Sequence, residues 1–311
     1  MPSVLITEFM DQPAVDLLES QLDVQYDPDL FGHPDKLLND VGSHDALIVR
    51  NRTQVTADLI ARAPALKIVG RLGVGLDNID LQACQDRGVQ VAPATGANSV
   101  SVAEYVMGAI FSLHRPITAA FDAVAQGLWP RTQMIGRELA GQTLGLVGMG
   151  EIATEVAKRA NAFGMQIVYF DPYVSPASIA RQVPCQPMAN LEAMLACADC
   201  VSLHVPLNDA TRNLINADRL QTMKPGALLI NTARGGVVDE PALVDALVSG
   251  HLGGAAMDVF VDEPMGQARG QLFAGVQRLI LTPHIAGVTV ESNARVSHVT
   301  AINVLRALGY E

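Results

Sequence analysis

Residues 143–171 constrain the fold more than any other stretch of the chain. An apolar run, Thr143–Val147, meets the turn Gly148-Met149-Gly150-Glu151-Ile152-Ala153. A helical pattern follows over 152–163, then a second apolar run and Asp171. A strand that breaks at a G-x-G-x-x-A turn and resumes as a helix is the opening unit of a parallel sheet that binds a dinucleotide. Gly148 suits the tight turn, and Gly150 lets backbone approach a pyrophosphate closely. Ala153 is small enough for the helix to pack on the strand. The helix start then offers unpaired N–H groups and a positive dipole end to phosphates. Asp171, eighteen residues after Ala153, stands where a carboxylate accepts hydrogen bonds from the adenosine ribose. No Lys or Arg lies between Pro172 and Pro176, so a 2′-phosphate would meet an uncompensated carboxylate. The expected cofactor is NAD rather than NADP.

At 311 residues, 49% hydrophobic and 17% charged, the chain can bury two separate cores. Its 21 Lys and Arg stand against 32 Asp and Glu, a formal charge of −11. That balance, with no basic run, predicts no nucleic-acid partner. No apolar stretch is long enough to span a bilayer, and Met1-Pro2-Ser3 leads directly into the apolar run 4–6. We therefore expect no membrane partner, no secretory leader and a cytoplasmic location. Four cysteines (Cys84, Cys185, Cys197, Cys200) read as buried thiols. The C-x-x-C spacing of Cys197 and Cys200 has no second pair or nearby His to complete a metal site, and no metal is expected.

Before residue 93 short apolar runs alternate with amphipathic stretches. The expected strands are 4–7, 24–26, 46–49, 67–70 and 90–91, and the expected helices 13–21, 34–40, 56–63 and 78–87. Thr56 and Asn78 are placed as helix N-caps and Gly88 as a stop. A turn-forming break at 93–98 precedes a long helix over 99–113, a second helix over 116–127 and a polar connection holding Trp129. After the dinucleotide unit come strands at 200–204, 227–231, 255–259 and 279–281, with helices at 191–197, 218–222 and 240–249. A loop covers 266–275, and a final helix 290–308. The fold class is α/β, two doubly wound parallel-sheet domains.

Sites in such sheets form at the carboxyl ends of strands. Three polar clusters follow successive strands: Asn231-Thr232-Ala233-Arg234-Gly235, Asp258-Val259-Phe260-Val261-Asp262-Glu263-Pro264 and Pro283-His284-Ile285-Ala286-Gly287. Hydride transfer at a hydroxyl-bearing carbon needs a proton carrier on the oxygen, a role that suits His284 at neutral pH. A 2-oxo acid also needs a cation on its carboxylate and carbonyl, and Arg234 can serve as a bidentate donor. Glu263 would fix the imidazole tautomer and favour its protonated form. His204 also ends a strand, with no acid beside it, and is placed against the cofactor by packing.

These motifs, with Gly70-Arg71-Leu72-Gly73-Val74-Gly75-Leu76-Asp77-Asn78-Ile79-Asp80 in the first half, resemble the D-isomer-specific 2-hydroxyacid dehydrogenases. Within that family the resemblance is greatest to the phosphoglycerate dehydrogenase branch, and it extends over essentially the whole chain. It implies a discontinuous flavodoxin-like substrate domain, residues 1–98 and 288–311, and an inserted Rossmann NAD domain, residues 99–287. It also implies a cleft between the two. The resemblance gives Arg234, Glu263 and His284 the catalytic roles argued above. It puts Glu151 and Ile152 at the pyrophosphate and Asp171 at the ribose. Thr232, Ala233 and Asp258 go to the nicotinamide half, with Arg234, His284, Ala286 and Gly287 on the same cofactor side. The amides of Gly73, Val74 and Gly75 would hold the substrate carboxylate. Family members pair through the segment around 99–129, so a homodimer or dimer of dimers is expected. Two departures stand out: Ala153 replaces a third glycine, and Val74 stands where phosphoglycerate dehydrogenases often carry Thr. With no appended C-terminal regulatory segment, serine feedback is not expected.

Arg50, Arg52 and Arg71, with Asn51, lie at or just past two successive strand ends of the first domain. One carboxylate needs one cation, so this local surplus in an acidic chain predicts a second anion on C3 of the substrate, as in 3-phosphoglycerate or (S)-3-sulfolactate. The hand at C2 is that of a D-2-hydroxy acid, because the sulfomethyl group outranks carboxyl in naming. Glyoxylate, hydroxypyruvate and D-lactate chemistry are the alternatives within the family. A non-enzymatic NAD(H)-sensing corepressor on the same fold is the alternative outside it.

Overall fold

Every strand pair among the described residues is parallel, so each connection must carry the backbone from one end of a sheet back to the other. The structure is a computed structural model that describes residues 1–115, 117 and 120–310. Two compact units emerge: residues 1–98 with 288–311, and residues 99–287.

The first unit holds β1 (Ser3–Ile6), β2 (Asp23–Tyr26), β3 (Ala46–Val49), β4 (Ile68–Arg71) and β5 (Gln90–Pro93) in the order β2-β1-β3-β4-β5. β1 and β3 sit at its centre, and their Val4, Leu5, Ile6 and Ala46–Val49 are fully buried, as strands covered on both faces must be. The long C-terminal helix Val290–Ala307 packs on the sheet, where Thr300 Oγ1 donates to the Arg71 carbonyl at 3.3 Å. Chain order reverses between β1 and β3, so the loops leaving these two strands are neighbours.

The second unit holds β6 (Thr143–Val147), β7 (Gln166–Phe170), β8 (Gln186–Pro187), β9 (Cys200–Leu203), β10 (Leu228–Asn231), β11 (Gly254–Met257) and β12 (Leu279–Leu281). Their order is β12-β11-β10-β9-β6-β7-β8. Helices Ser99–His114 and Glu151–Ala162 lie together on one face. There Ala153, Val156, Ala157 and Ala160 meet Leu144, Leu146 and Val106 in one dry cluster. Ala153 has no exposed surface; a larger side chain there would overpack the seam, at about 1–3 kcal/mol. The opposite face is filled from the helices Leu191–Cys197, Ala217–Thr222 and Glu240–Val248.

The structure departs from the sequence reading at several boundaries. The helix expected over 78–87 runs only Leu81–Asp86, capped by Asp80, whose side chain accepts from Ala83 N at 2.9 Å. Asn78 is instead occupied in tertiary structure, its Nδ2 donating to the carbonyls of Thr53 (2.7 Å) and Arg50 (3.3 Å). The helix expected over 116–127 is reduced to Phe121–Ala125, with Gly127 at φ 80 stopping it; residues 116, 118 and 119 lie outside the described residues. The stretch 266–275 contains a turn of helix, Gln267–Gly270, and a 3-10 turn, Gln271–Phe273, because Phe273 buries itself in the core. Cys84 and Cys200 are buried as expected, whereas Cys185 and Cys197 are only half-buried. The short helix Pro176–Ala180 and the edge strand Gln186–Pro187 gave no sequence signal strong enough to place them.

Candidate active site

The carboxyl ends of the second sheet gather the residues that sequence singled out. β6 runs into the glycine turn, β7 into Asp171, β9 into His204, β10 into Thr232–Arg234, β11 into Asp258–Glu263 and β12 into His284. Gly148 adopts φ 85, and a Cβ there would stand 2.5 Å from the His204 carbonyl oxygen, so only glycine fits. Gly150 begins the helix Glu151–Ala162; a Cβ at that position would meet nothing within 4 Å. The open space beside an exposed helix start fits a pyrophosphate approaching the backbone. Glu151 beside it is exposed and Ile152 half-buried.

Asp171 is aimed by two backbone amides, Met149 N to Oδ2 and Tyr173 N to Oδ1, each at 2.8 Å. Each oxygen keeps a second lone pair for a ribose hydroxyl. Thr232 Oγ1 is buried and finds no hydrogen-bond partner among the described residues, so a polar ligand group fits against it. The open cradle, the aimed carboxylate and the orphaned hydroxyl together suit NAD. Among the described residues no group of three His, Cys, Asp or Glu could hold a metal ion.

His204 donates or accepts one bond with Ser202 Oγ at 3.0 Å, and burial pushes its imidazole down to about 3. It is a neutral ring beside the glycine turn, unsuited to carrying protons near neutral pH. His284 differs. It is exposed, sits at φ 56, and its Nδ1–H donates to Glu263 Oε2 at 2.6 Å. Nδ1 is thereby committed, and Nε2 is the atom left for proton exchange. Burial by itself would raise the Glu263 carboxyl. The hydrogen bonds from His284 and from Phe260 N (2.8 Å to Oε1), with the nearby Arg234 charge, outweigh it and hold the carboxyl below the usual carboxylate range. Glu263 is therefore ionised at neutral pH and favours a charged imidazole. Arg234 is half-buried, and its Nη1 donates to the Ala233 carbonyl at 2.6 Å. Asn231 braces that turn, accepting from Ala233 N at 3.0 Å and donating to the Arg234 carbonyl at 3.1 Å.

Asp258 does something sequence did not reveal. It is 1% exposed, and its oxygens accept from Ile285 N (2.8 Å), Ala286 N (2.8 Å) and Thr282 Oγ1 (2.6 Å). Tyr105 in turn donates to Thr282. With both oxygens engaged, Asp258 shapes the loop that carries His284, Ala286 and Gly287 rather than facing outward. Glu240 is a second missed carboxylate, 1% exposed and bonded to Val261 N at 2.8 Å.

In the first unit the loop after β3 is built on a third. Glu8 is 4% exposed; Oε1 accepts from Arg50 N (2.8 Å) and Thr53 N (3.0 Å), Oε2 from Arg52 N (3.1 Å) and Asn51 N (3.3 Å). A carboxylate right after a strand, in an otherwise apolar run, was the one available signal. Two of the three arginines expected to cluster take different partners. Arg50 bonds Asn293 Oδ1 at 2.7 Å and lies 5.9 Å from the Phe9 ring centroid, while Arg52 stacks 4.8 Å over Phe31. Arg71 Nη1 donates to the Leu72 carbonyl at 2.6 Å and covers Gly73, where a Cβ would come within 1.9 Å of it. The amide of Gly73 is turned to the Arg71 carbonyl at 2.8 Å. Among the described residues the amides of Val74 and Gly75 have no partner, so they, rather than all three, are open to a ligand.

Residues 107–286 match the family model "D-isomer specific 2-hydroxyacid dehydrogenase, NAD binding domain". The chain is 52% identical over 309 residues to (S)-sulfolactate dehydrogenase of Chromohalobacter salexigens, covering 99% of each protein. It is 38% identical to hydroxypyruvate reductase of Thermotoga maritima, covering 98% of each. The D-lactate dehydrogenase of Aquifex aeolicus, solved with NAD and lactic acid, is 30% identical with a TM-score of 0.85, over 98% of this chain and 95% of that one. The chain belongs to the D-isomer-specific 2-hydroxyacid dehydrogenases and is an NAD-dependent oxidoreductase of 2-hydroxy acids.

Proposed function

We propose that the chain interconverts (S)-sulfolactate and its 2-oxo acid, with Arg234, Glu263 and His284 as the catalytic set. The observation that carries the chemistry is the 2.6 Å bond from His284 Nδ1 to an ionised Glu263, which leaves Nε2 to exchange the substrate proton. The choice of acid is supported by the 52% identity to a sulfolactate dehydrogenase over the full length of both chains, and by the arginines of the first unit.

NAD supplies the hydride acceptor in oxidation and the donor in reduction. In oxidation neutral His284 takes the C2 hydroxyl proton at Nε2 while hydride leaves C2. The negative charge of Glu263 stabilises the imidazolium that results. Arg234 offsets the charge on the carboxylate and on the forming carbonyl. Reduction runs the same proton backwards and requires His284 protonated. Oxidation therefore needs His284 neutral and reduction needs it protonated, while Glu263, held below the usual carboxylate range, stays ionised in both. Residues 1–98 with 288–311 serve as the substrate domain and 99–287 as the NAD domain. In the latter Gly148, Gly150, Glu151, Ile152, Asp171, His204, Thr232, Ala233, Ala286 and Gly287 meet the cofactor. The amides of Val74 and Gly75 hold the carboxylate, and Arg50, Asn51, Arg52 and Arg71 serve the second anion.

The protein works in the cytoplasm without nucleic-acid or membrane partners, a reading supported by its acidic charge and four free cysteines. No helix among the described residues is long and apolar enough to cross a membrane. It forms a homodimer, or a dimer of dimers, through the segment around 99–129. Exposed Phe121 (74%) and Trp129 (79%) support that surface.

NADH absorbance with NAD and a panel of both sulfolactate enantiomers, D-3-phosphoglycerate, D-glycerate and D-lactate tests this reading. The expected result is highest kcat/KM for (S)-sulfolactate, with light scattering of the same preparation reading a dimer or its double. A best rate with glycerate would make it a hydroxypyruvate-type reductase. No turnover with any acid would favour the NAD(H)-sensing alternative.

A further inference from the structure

The loop that carries Glu263 hangs on a charged pair the mechanism does not use. Phe260 anchors it, 6% exposed, with its ring edge-on to Phe273 at 5.8 Å. Its carbonyl packs so tightly on the turn after Arg234 that a Cβ on Gly235 would stand 1.7 Å from it. The next amide, Val261 N, donates to Glu240 Oε1 at 2.8 Å. The other oxygen of Glu240 accepts from Arg269 Nη2, also at 2.8 Å. Glu240 is 1% exposed and opens the helix Glu240–Val248 behind the N-cap Asp239, whereas the Arg269 side chain is 35% exposed. A carboxylate this deep requires a cation or donors to remain there ionised, and Arg269 supplies the cation.

We propose that Glu240 and Arg269 are a positioning pair that sets where Glu263 stands against His284. Glu240 pins Val261, two residues before Glu263, and Arg269 both neutralises Glu240 and fixes which oxygen faces the loop. The contact between Glu263 and His284 is short, 2.6 Å, so a displacement of the loop by a fraction of an ångström weakens it. Arg269 is reached from solvent, so this is a route from the surface of the unit to its proton carrier. The charge bearing on Glu263 besides His284 is Arg234, on the turn after β10; the Asp258 carboxylate is taken up by Thr282 and the Ile285 and Ala286 amides, and Asp262 lies 3.7 Å from Arg269 Nε. None of them contacts Val261 N, so none replaces Glu240 in that role.

The inference rests on the reading of His284 and Glu263 as catalytic, and the test separates the two. Arg269→Met keeps the stem and removes the charge; Arg269→Lys restores a cation; Glu240→Gln keeps an acceptor for Val261. Each is assayed with NAD and the best acid of the panel across pH 5–10, with NADH affinity measured by fluorescence. Arg269→Met is expected to lower kcat about 10-fold, with NADH affinity and substrate KM within about 3-fold. Its oxidation profile should shift its acid limb to lower pH, because a loosened Glu263 no longer favours the imidazolium. Arg269→Lys should recover most of the rate and the wild-type limb, and Glu240→Gln, which keeps the acceptor for Val261 and needs no counter-charge, should stay closer to the unaltered enzyme than Arg269→Met. Simple deletion of a nearby cation would move the limb to higher pH, and that result overturns the proposal. So does an unshifted profile accompanied only by a lower Tm. A fully active His284→Ala would overturn the underlying reading instead.

Discussion

The two units solve one local problem alike and put the solution to different use. In each, a buried carboxylate at a strand end collects backbone amides from the neighbouring loop: Glu8 takes residues 50–53, and Asp258 takes Ile285 and Ala286. In the second unit the loop so held delivers one side chain onto another, His284 onto Glu263. In the first it delivers arginines that part, Arg50 to Asn293 and Arg52 to Phe31. Wired loops make a site for bond chemistry, where two groups must keep a fixed relation through a proton transfer. Separately tethered cations suit recognition, where each group acts alone and the whole can vary with the acid recognised. Chemistry is thus the shared property of the family, and substrate the variable one.

The largest effect is expected from His284→Ala. Loss of a general acid–base group should lower kcat by about 10³-fold in both directions, with NADH affinity changed little. A drop in affinity comparable to the drop in rate would mean that His284 holds cofactor rather than moving a proton. A smaller effect is expected at Asp171, which the glycine turn aims but which touches no reacting atom. Asp171→Ala should raise the KM for NAD about 10-fold, equivalent to roughly 1.4 kcal/mol of lost hydrogen bonding. It should leave kcat nearly intact and erode the preference over NADP. Equal kcat/KM for NADH and NADPH in the unaltered enzyme would remove the role given to this carboxylate.

The parts of the molecule set by local rules could be read in the sequence. Strands buried on both faces announce themselves as apolar runs, and the glycine turn with Asp171 is a short-range pattern. Arg234, Glu263 and His284 stood out because they follow successive strands, which the sheet order then makes neighbours. What sequence could not show were pairings across long separations. Glu8 looks like a surface acid until the loop 50–53 arrives over it, and Glu240 looks like an ordinary first-turn helix acid until Val261 and Arg269 close on it. Asn78 failed as a cap for the same reason: carbonyls at residues 50 and 53 compete for its amide. The partners of the arginines were not legible either, because sequence gives where a side chain starts, not which ring or amide it reaches.

The division of labour between the units is tested most directly by one ratio, kcat/KM for (S)-sulfolactate over kcat/KM for D-glycerate, in the unaltered enzyme and in Arg50→Gln. Arg50 is half-buried and held by Asn293, so its charge stands at a fixed place. If the first unit reads the second anion, the substitution lowers the sulfolactate constant at least about 10-fold, the worth of one charge-assisted hydrogen bond, and the glycerate constant far less. The ratio then falls toward one. If both constants fall together, or neither moves, Arg50 does not recognise the anion and the division drawn here is wrong.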